Sequence, residues 1–220
     1  MLQSVETVRV WFQKKGAAQY ISHLDLTHNM ARALKLSRLP VWYTEGFNPR
    51  IYMTYGMPLS LGIAGERECM DIRLTRHVDY EEVVDRLGSR LPQGLTVLRA
   101  AAPERKLEEI AFADYRLELE WEDGKALEGA LARLLGREEV LVKKHTKKGE
   151  REVDVKPVFA GAQLSAQPWG VEARLRLPCS PSGSVNPGLL LEALKAYEAL
   201  EPVARITRER LLLEDFSEIR

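Results

Sequence analysis

Twice along this chain an alternating apolar–polar stretch is followed by a stretch with helical spacing, and that recurrence limits the available folds more than any other feature. The first alternation is Thr7-Val8-Arg9-Val10-Trp11-Phe12-Gln13, ended by Lys14-Lys15-Gly16; the second is Tyr115-Arg116-Leu117-Glu118-Leu119-Glu120-Trp121. Period two with β-branched and aromatic residues predicts half-buried strands. After the first, Leu26, Met30, Ala33 and Leu34 share one helical face; after the second, Leu127, Ala130, Leu131, Leu134 and Leu135 do the same.

Each round then returns to strand patterns. In the first round these are Val41-Trp42-Tyr43, a strand over 50–62 broken by Gly56, Pro58 and Gly62, and 69–74. A helix capped by Asp79 follows, with Val83, Val84 and Leu87 facing inward, then the turn Leu91-Pro92-Gln93-Gly94 and a strand over 95–98. In the second round, 140–142 and 152–156 flank a basic hairpin tip, and 171–177 alternate. Asn186-Pro187 opens a helix over 187–200, and 204–213 supply a last strand. No residue-level repeat links the halves, only the pattern. The order strand, helix, strand, strand, helix, strand predicts an α+β chain of two tandem ferredoxin-like (split β-α-β) units with antiparallel sheets. Their boundaries are 1–102 and 110–220, with Pro103-Glu104-Arg105-Lys106-Leu107-Glu108-Glu109 as a polar connector.

The chemistry-bearing residues concentrate around Tyr20-Ile21-Ser22-His23-Leu24-Asp25-Leu26 and Glu45-Gly46-Phe47-Asn48-Pro49-Arg50. Ser22 is an N-cap with Asp25 three residues on as capping-box partner, Ile21 is placed for a hydrophobic staple to Leu26, and the helix begins at His23 and stops before Pro40. Amides at such a start can hold a phosphate. His28, Arg32 and Lys35 make a cationic stripe, which on most helices is a solvated face. Phe47 lies in turn chemistry where Gly46 can take positive φ, so it is the aromatic hardest to bury, and Arg50 beside it completes a stacking platform for unpaired bases. For Trp42 and Tyr52 a place in the core is the simpler reading. A second basic cluster, Lys143, Lys144, Lys147, Lys148 and Arg151 against Glu150, makes the hairpin tip locally cationic.

With 220 residues, 45% hydrophobic and 29% charged, the composition is that of a globular protein. Zero formal net charge removes any global attraction to nucleic acid, so binding must come from local patches. Cys69 and Cys179 have no ligand-spaced companion, and with four histidines (His23, His28, His77 and His145) no metal site or cofactor is encoded in local spacing. The start Met1-Leu2-Gln3-Ser4-Val5-Glu6 has no signal-peptide character, and no run of about 18 apolar residues occurs. The expectation is a cytoplasmic chain that neither crosses nor enters a membrane. No P-loop, dinucleotide fingerprint or nucleophile elbow is present. General acid–base work by His23 with Asp25 is the one catalytic arrangement the motifs offer, and side chains two apart on a helix do not face each other.

Tyr20-Ile21-Ser22-His23-Leu24-Asp25-Leu26, Leu39-Pro40-Val41, Glu45-Gly46-Phe47-Asn48-Pro49, Pro58-Leu59, Gly62, Glu68-Cys69-Met70-Asp71 and Leu91-Pro92-Gln93-Gly94-Leu95 together resemble the uncharacterised bacterial domain called radical-SAM-linked, over roughly residues 7–200. That domain is typically encoded beside, or fused to the C-terminal end of, a radical S-adenosylmethionine protein. The resemblance implies partnership with such an enzyme and assigns no activity to the domain itself. Because this chain carries no radical-SAM barrel and no three-cysteine cluster motif, the expected partner is a separate polypeptide. The functional expectation is an RNA-binding or substrate-presenting accessory protein acting with that enzyme in RNA modification, non-catalytic in itself. The alternatives are a metal-independent RNA-processing enzyme using His23, and an interaction scaffold for the radical-SAM partner.

Overall fold

The computed structural model describes residues 5–146 and 149–220, with side chains described outside 144–151. The elements in chain order are β1 (Glu6–Lys14), α1 (His23–Ser37), β2 (Met53–Tyr55), β3 (Ala64–Leu74), α2 (Tyr80–Gly88), β4 (Leu95–Ala101), β5 (Phe112–Glu120) and α3 (Gly124–Leu135). They continue with β6 (Leu141–Thr146), β7 (Gly149–Asp154), α4 (Lys156–Phe159), β8 (Gln163–Gln167), β9 (Gly170–Ser180), β10 (Gly183–Ser184), α5 (Leu189–Glu198) and β11 (Val203–Leu212). Single 3-10 turns cover Gly16–Tyr20 and Leu107–Glu109. The protein is mixed α/β with a large, mostly antiparallel sheet. It divides into two compact units, Met1–Ala111 with Arg208–Arg220, and Phe112–Thr207.

In the first unit the strand order is β11-β3-β1-β4, with β2 also paired to β3. β1 runs antiparallel to both neighbours, Val10 lying opposite Met70 on one side and Ala100 on the other. Strand alternation sends Val8, Val10, Phe12, Met70, Ile72 and Leu74 to one face, where they pack with Leu26, Met30, Ala33 and Leu34 of α1 and Val83 and Leu87 of α2. Burying each such aliphatic or aromatic side chain is worth roughly 1.5–3 kcal/mol. The opposite face carries Thr7, Arg9 and Trp11 from β1 and Asp71 and Arg73 from β3. Arg9, wholly buried, forms a two-pronged pair with Asp71 (2.7 and 2.8 Å) and donates to the Arg220 carbonyl at 2.8 Å.

α1 begins at His23 and runs to Ser37. Arg38 then takes a left-handed conformation (φ 57°), which turns the chain out of the helix two residues before Pro40. Asp79 stands at the N-cap of α2, but its side chain accepts no amide there; its carboxylate instead lies 3.6 Å from His77 Nε2. Where a broken strand was expected over 50–62, only Met53–Tyr55 joins the sheet as a strand. Val41 and Tyr43 make single bridges to Leu74 and Ile51.

The second unit orders its strands β10-β9-β5-β11, with β8 also on β9. Tyr115, Leu117, Leu119, Ala173, Leu175 and Leu177 are buried on one side, as are Leu127, Leu131 and Leu134 of α3 and Leu190 and Leu194 of α5. The other side is a ladder of ion pairs: Arg176 with Asp114, Arg174 with Glu172, and Arg205 with Glu118 and Glu120. At such exposure ion pairs are weak, so the ladder solvates the face more than it stabilises it. The basic hairpin is not the central hairpin of this sheet. β6 and β7 pair only with each other, and their base is fixed where Asp154 accepts from the amides of Val140 and Lys156 and the Tyr197 hydroxyl accepts from the Leu141 amide at 2.9 Å. The place beside β9 is taken by β8, Gln163-Leu164-Ser165-Ala166-Gln167, whose short alternation rests on Leu164 and Ala166 alone.

Candidate functional site

The motif at the start of α1 is held by its own backbone. The Asp25 amide donates to Ser22 Oγ at 3.1 Å, and the Asp25 carboxylate accepts from the Ser22 amide at 3.3 Å and the Ser22 hydroxyl at 2.7 Å. These bonds hold the Asp25 carboxyl below its ordinary pKa. Asp25 is therefore occupied by the capping box and makes no bond to His23. Ile21 packs against the cluster that contains Leu26, as a staple requires.

His23 sits half-buried with its ring edge-on to Tyr55, centroids 4.9 Å apart. Burial lowers its pKa from the ordinary 6.5, and the charge of Lys14 adds to the effect, so the neutral imidazole is favoured. Burial pushes the Tyr55 phenol up to about 12, opposed by the nearby Thr27 hydroxyl. Beneath this pair, Lys14 is 1% exposed and donates to the carbonyls of Gln19 (3.3 Å) and Ile21 (3.1 Å). Burial lowers the Lys14 pKa; Glu68 counteracts and Arg208 reinforces the shift. Glu68 is itself bound by Arg208 (Nε to Oε1, 2.9 Å), whose Nη2 donates to the Met57 carbonyl at 2.7 Å. A buried series of charges thus props both the turn that leads into Ser22 and the loop after β2. Among the described residues no carboxylate orients His23 for general acid–base work.

The second motif is a closed loop. Thr44 donates its amide to the Arg50 carbonyl at 2.8 Å, and the Arg50 amide donates to Thr44 Oγ1 at 3.1 Å. Within it Gly46 adopts φ 122°, a conformation that side-chain-bearing residues rarely take. Phe47 is completely exposed, at 105% of its reference surface. Arg50 is exposed, and its guanidinium makes no ion pair among the described residues. Neither Phe47 nor Arg50 bonds, pairs or stacks with His23 or Asp25 among the described residues. His28 and Arg32 are exposed on the solvent face of α1. Lys143 is exposed on β6; the side chains of Lys144 and Arg151, and Lys147 and Lys148 altogether, lie outside the described residues.

Three residues gave no sequence signal as site residues. Lys14 reads as the polar end of a strand, yet it is buried, because the register against β3 shifts between Phe12 and Lys14. Arg73 reads as the solvent half of an alternation. In the fold its guanidinium lies 4.1 Å from the ring centroid of Tyr52 and 5.4 Å from that of Trp42. Arg99 likewise lies 3.7 Å over Trp11. Trp42 and Tyr52 are accordingly half-buried platforms and lie outside the core, their rings meeting edge-to-face at 5.9 Å.

Among the described residues no group of acidic, histidine and cysteine side chains is arranged to hold a metal ion, and no helix is long and apolar enough to cross a membrane. No protein with a curated description matches the chain. A solved structure it resembles is described as an unknown protein from Galdieria sulphuraria, at 12% identity and a TM-score of 0.28 over 93% of this chain and 99% of that one; so slight a likeness carries no fold argument. The family model described as "Uncharacterized protein conserved in bacteria (DUF2344)" matches residues 7–187, most of the chain, and the protein belongs to that bacterial family.

Proposed function

We propose that the protein is a non-catalytic RNA-binding module that presents its RNA to a separate radical-SAM enzyme. The observation that carries the RNA half is Phe47. An aromatic ring left wholly in water costs the free chain solubility, and the loop that holds it is built, by the Thr44–Arg50 bonds and the Gly46 conformation, to keep it there. Arg50 beside it supplies a cation, and aromatic–base stacking with guanidinium contacts is how unpaired nucleotides are held. His28 and Arg32 add exposed basic side chains on α1. The radical-SAM half rests on the motif resemblance alone.

The strand orders β4-β1-β3-β2 and β11-β5-β9-β8 support reading each unit as a split β-α-β, ferredoxin-like fold. A scaffold reading is favoured by one further observation. Tyr20, Leu24 and Leu61 are each about two-thirds exposed, and the Gly62 amide donates to the Gln19 carbonyl, bringing two of the segments that bear them together. The experiment that separates these readings is ultraviolet crosslinking of the tagged protein in its bacterial host, with bound RNA sequenced and bound proteins identified with and without nuclease. RNA crosslinked at the peptide bearing Phe47, with loss of crosslinking in Phe47→Ala, supports the proposal. A partner retained after nuclease, with no crosslinked RNA, replaces it with the scaffold.

A further inference from the structure

The face of the first unit's sheet turned away from α1 and α2 holds a cavity of about 480 Å³, within the range of roughly 300–1,000 Å³ typical of small-molecule sites. Its walls include Thr7, Tyr52, Thr54, Arg73, Glu104 and Glu108. The Arg73 guanidinium lies over the Tyr52 ring, 4.1 Å from its centroid, and 5.4 Å from that of Trp42. No acceptor engages the Arg73 guanidinium among the described residues, so its N–H edge and its outer face are both open to a ligand. The neighbouring Arg9 differs: Asp71 and the Arg220 carbonyl already use it.

Charge narrows the ligand. Arg9, Arg73, Arg105 and Lys106 line the cavity against Asp71, Glu104, Glu108 and Glu109, so the lining is formally neutral. Removing the Arg9–Asp71 pair and the Arg105–Glu109 pair (3.5 Å) leaves Arg73 and Lys106 facing Glu104 and Glu108. A free phosphate would gain from Arg73 and be opposed by the two carboxylates that share the lining. An apolar ligand would strip water from all four charged groups without replacing its hydrogen bonds. A nucleobase meets both demands. It is uncharged and planar, it stacks on guanidinium and aromatic planes, and its edge offers donors and acceptors. Carboxylates accept from exocyclic amino groups, as Glu and Asp do from cytosine N4.

We propose that this cavity binds one unpaired nucleobase bearing an exocyclic amino group, stacked on the Arg73–Tyr52 pair with its amino group toward Glu104 and Glu108. The inference deepens the RNA reading by naming where a base enters and which bases are preferred; the phosphates are held elsewhere, by Arg50 and the cationic face of α1.

The test is calorimetric titration of the whole chain with free nucleosides, which lack phosphate and so cannot report the electrostatic binding of RNA. Adenosine and cytidine are expected to saturate one site with uridine clearly weaker. Arg73→Gln, at a half-exposed position where no side-chain hydrogen bond is lost, should keep the wild-type circular dichroism and a cooperative melt yet bind adenosine roughly tenfold more weakly, the size of one stacking contact. Glu104→Gln/Glu108→Gln should erase the preference over uridine. Failure of every nucleoside to saturate the wild-type protein, or equal adenosine binding by Arg73→Gln, overturns the proposal. If RNA oligonucleotides still bind in a salt-dependent way under that outcome, the RNA reading stands and the cavity assignment alone falls. If nucleosides bind and RNA does not, the reverse holds.

Discussion

His23 shows how a titratable residue in a prominent motif is shaped by what lies under it. It is the one histidine at the helix start, but its surroundings are the Tyr55 ring and the buried Lys14, both of which disfavour the imidazolium. The consequence for stability has a definite sign. With the folded pKa below the unfolded value of 6.5, the unfolded chain takes up the proton first as pH falls. The contribution is therefore present above that value and is lost progressively as pH drops through it toward the folded pKa. Urea midpoints measured between about pH 7.5 and pH 5 should fall for the wild type and fall less for His23→Gln. Asp25, held down by Ser22, adds a loss at still lower pH with the same sign, and that loss should shrink in Ser22→Ala, which keeps the backbone amide bond to the carboxylate.

At the scale of elements, the capping box is what makes α1 start where it does. Ser22→Ala removes both hydroxyl bonds and should cost about 1 kcal/mol by urea denaturation, with faster amide exchange confined to the first turn of α1. Lys14→Met removes the Lys14 donor from the Ile21 carbonyl, while the Gln19 carbonyl keeps the Gly62 amide, and should cost about 1–3 kcal/mol, with the 3-10 turn before Ser22 losing protection first. These elements divide by how visible they were. The box, the staple, the helix ends, the exposed Phe47 and the alternations of β1 and β5 are local patterns, and each was legible in the residues themselves. Lys14, Arg73 and the Glu68–Arg208 pair were not. Their roles depend on a register shift and on neighbours up to 140 residues away, and no periodicity carries that. β8 was missed because its alternation spans five residues and rests on Leu164 and Ala166 alone, with no β-branched or aromatic residue to mark it as a strand. That β6 and β7 form a hairpin was legible in the residues, whereas its independence from the second unit's sheet follows from bonds to Asp154 and Tyr197 made in the fold.

For the molecule as a whole, the last segment belongs with the first unit, not with the second as its place in the sequence suggested. Arg208 completes the buried pair with Glu68, Ala111 donates to the Leu212 carbonyl, and Arg9 reaches the Arg220 carbonyl. Arg208→Met strands Glu68 as an unpaired buried carboxylate and should destabilise the first unit by about 3–5 kcal/mol, read as lost hydrogen-exchange protection across β1 and β3. The central claim is RNA binding through local patches on a chain of zero net charge. Its most direct test is the affinity for an unstructured RNA oligonucleotide as salt is raised from about 50 to 300 mM, for the wild type, Phe47→Ala and Arg50→Gln. A linear fall of log affinity with log salt is predicted, with Phe47→Ala weaker at every salt but equal in slope and Arg50→Gln shallower by roughly 0.7, the increment of one single-strand phosphate contact. Affinity independent of salt, or no binding at the lowest salt, would contradict it.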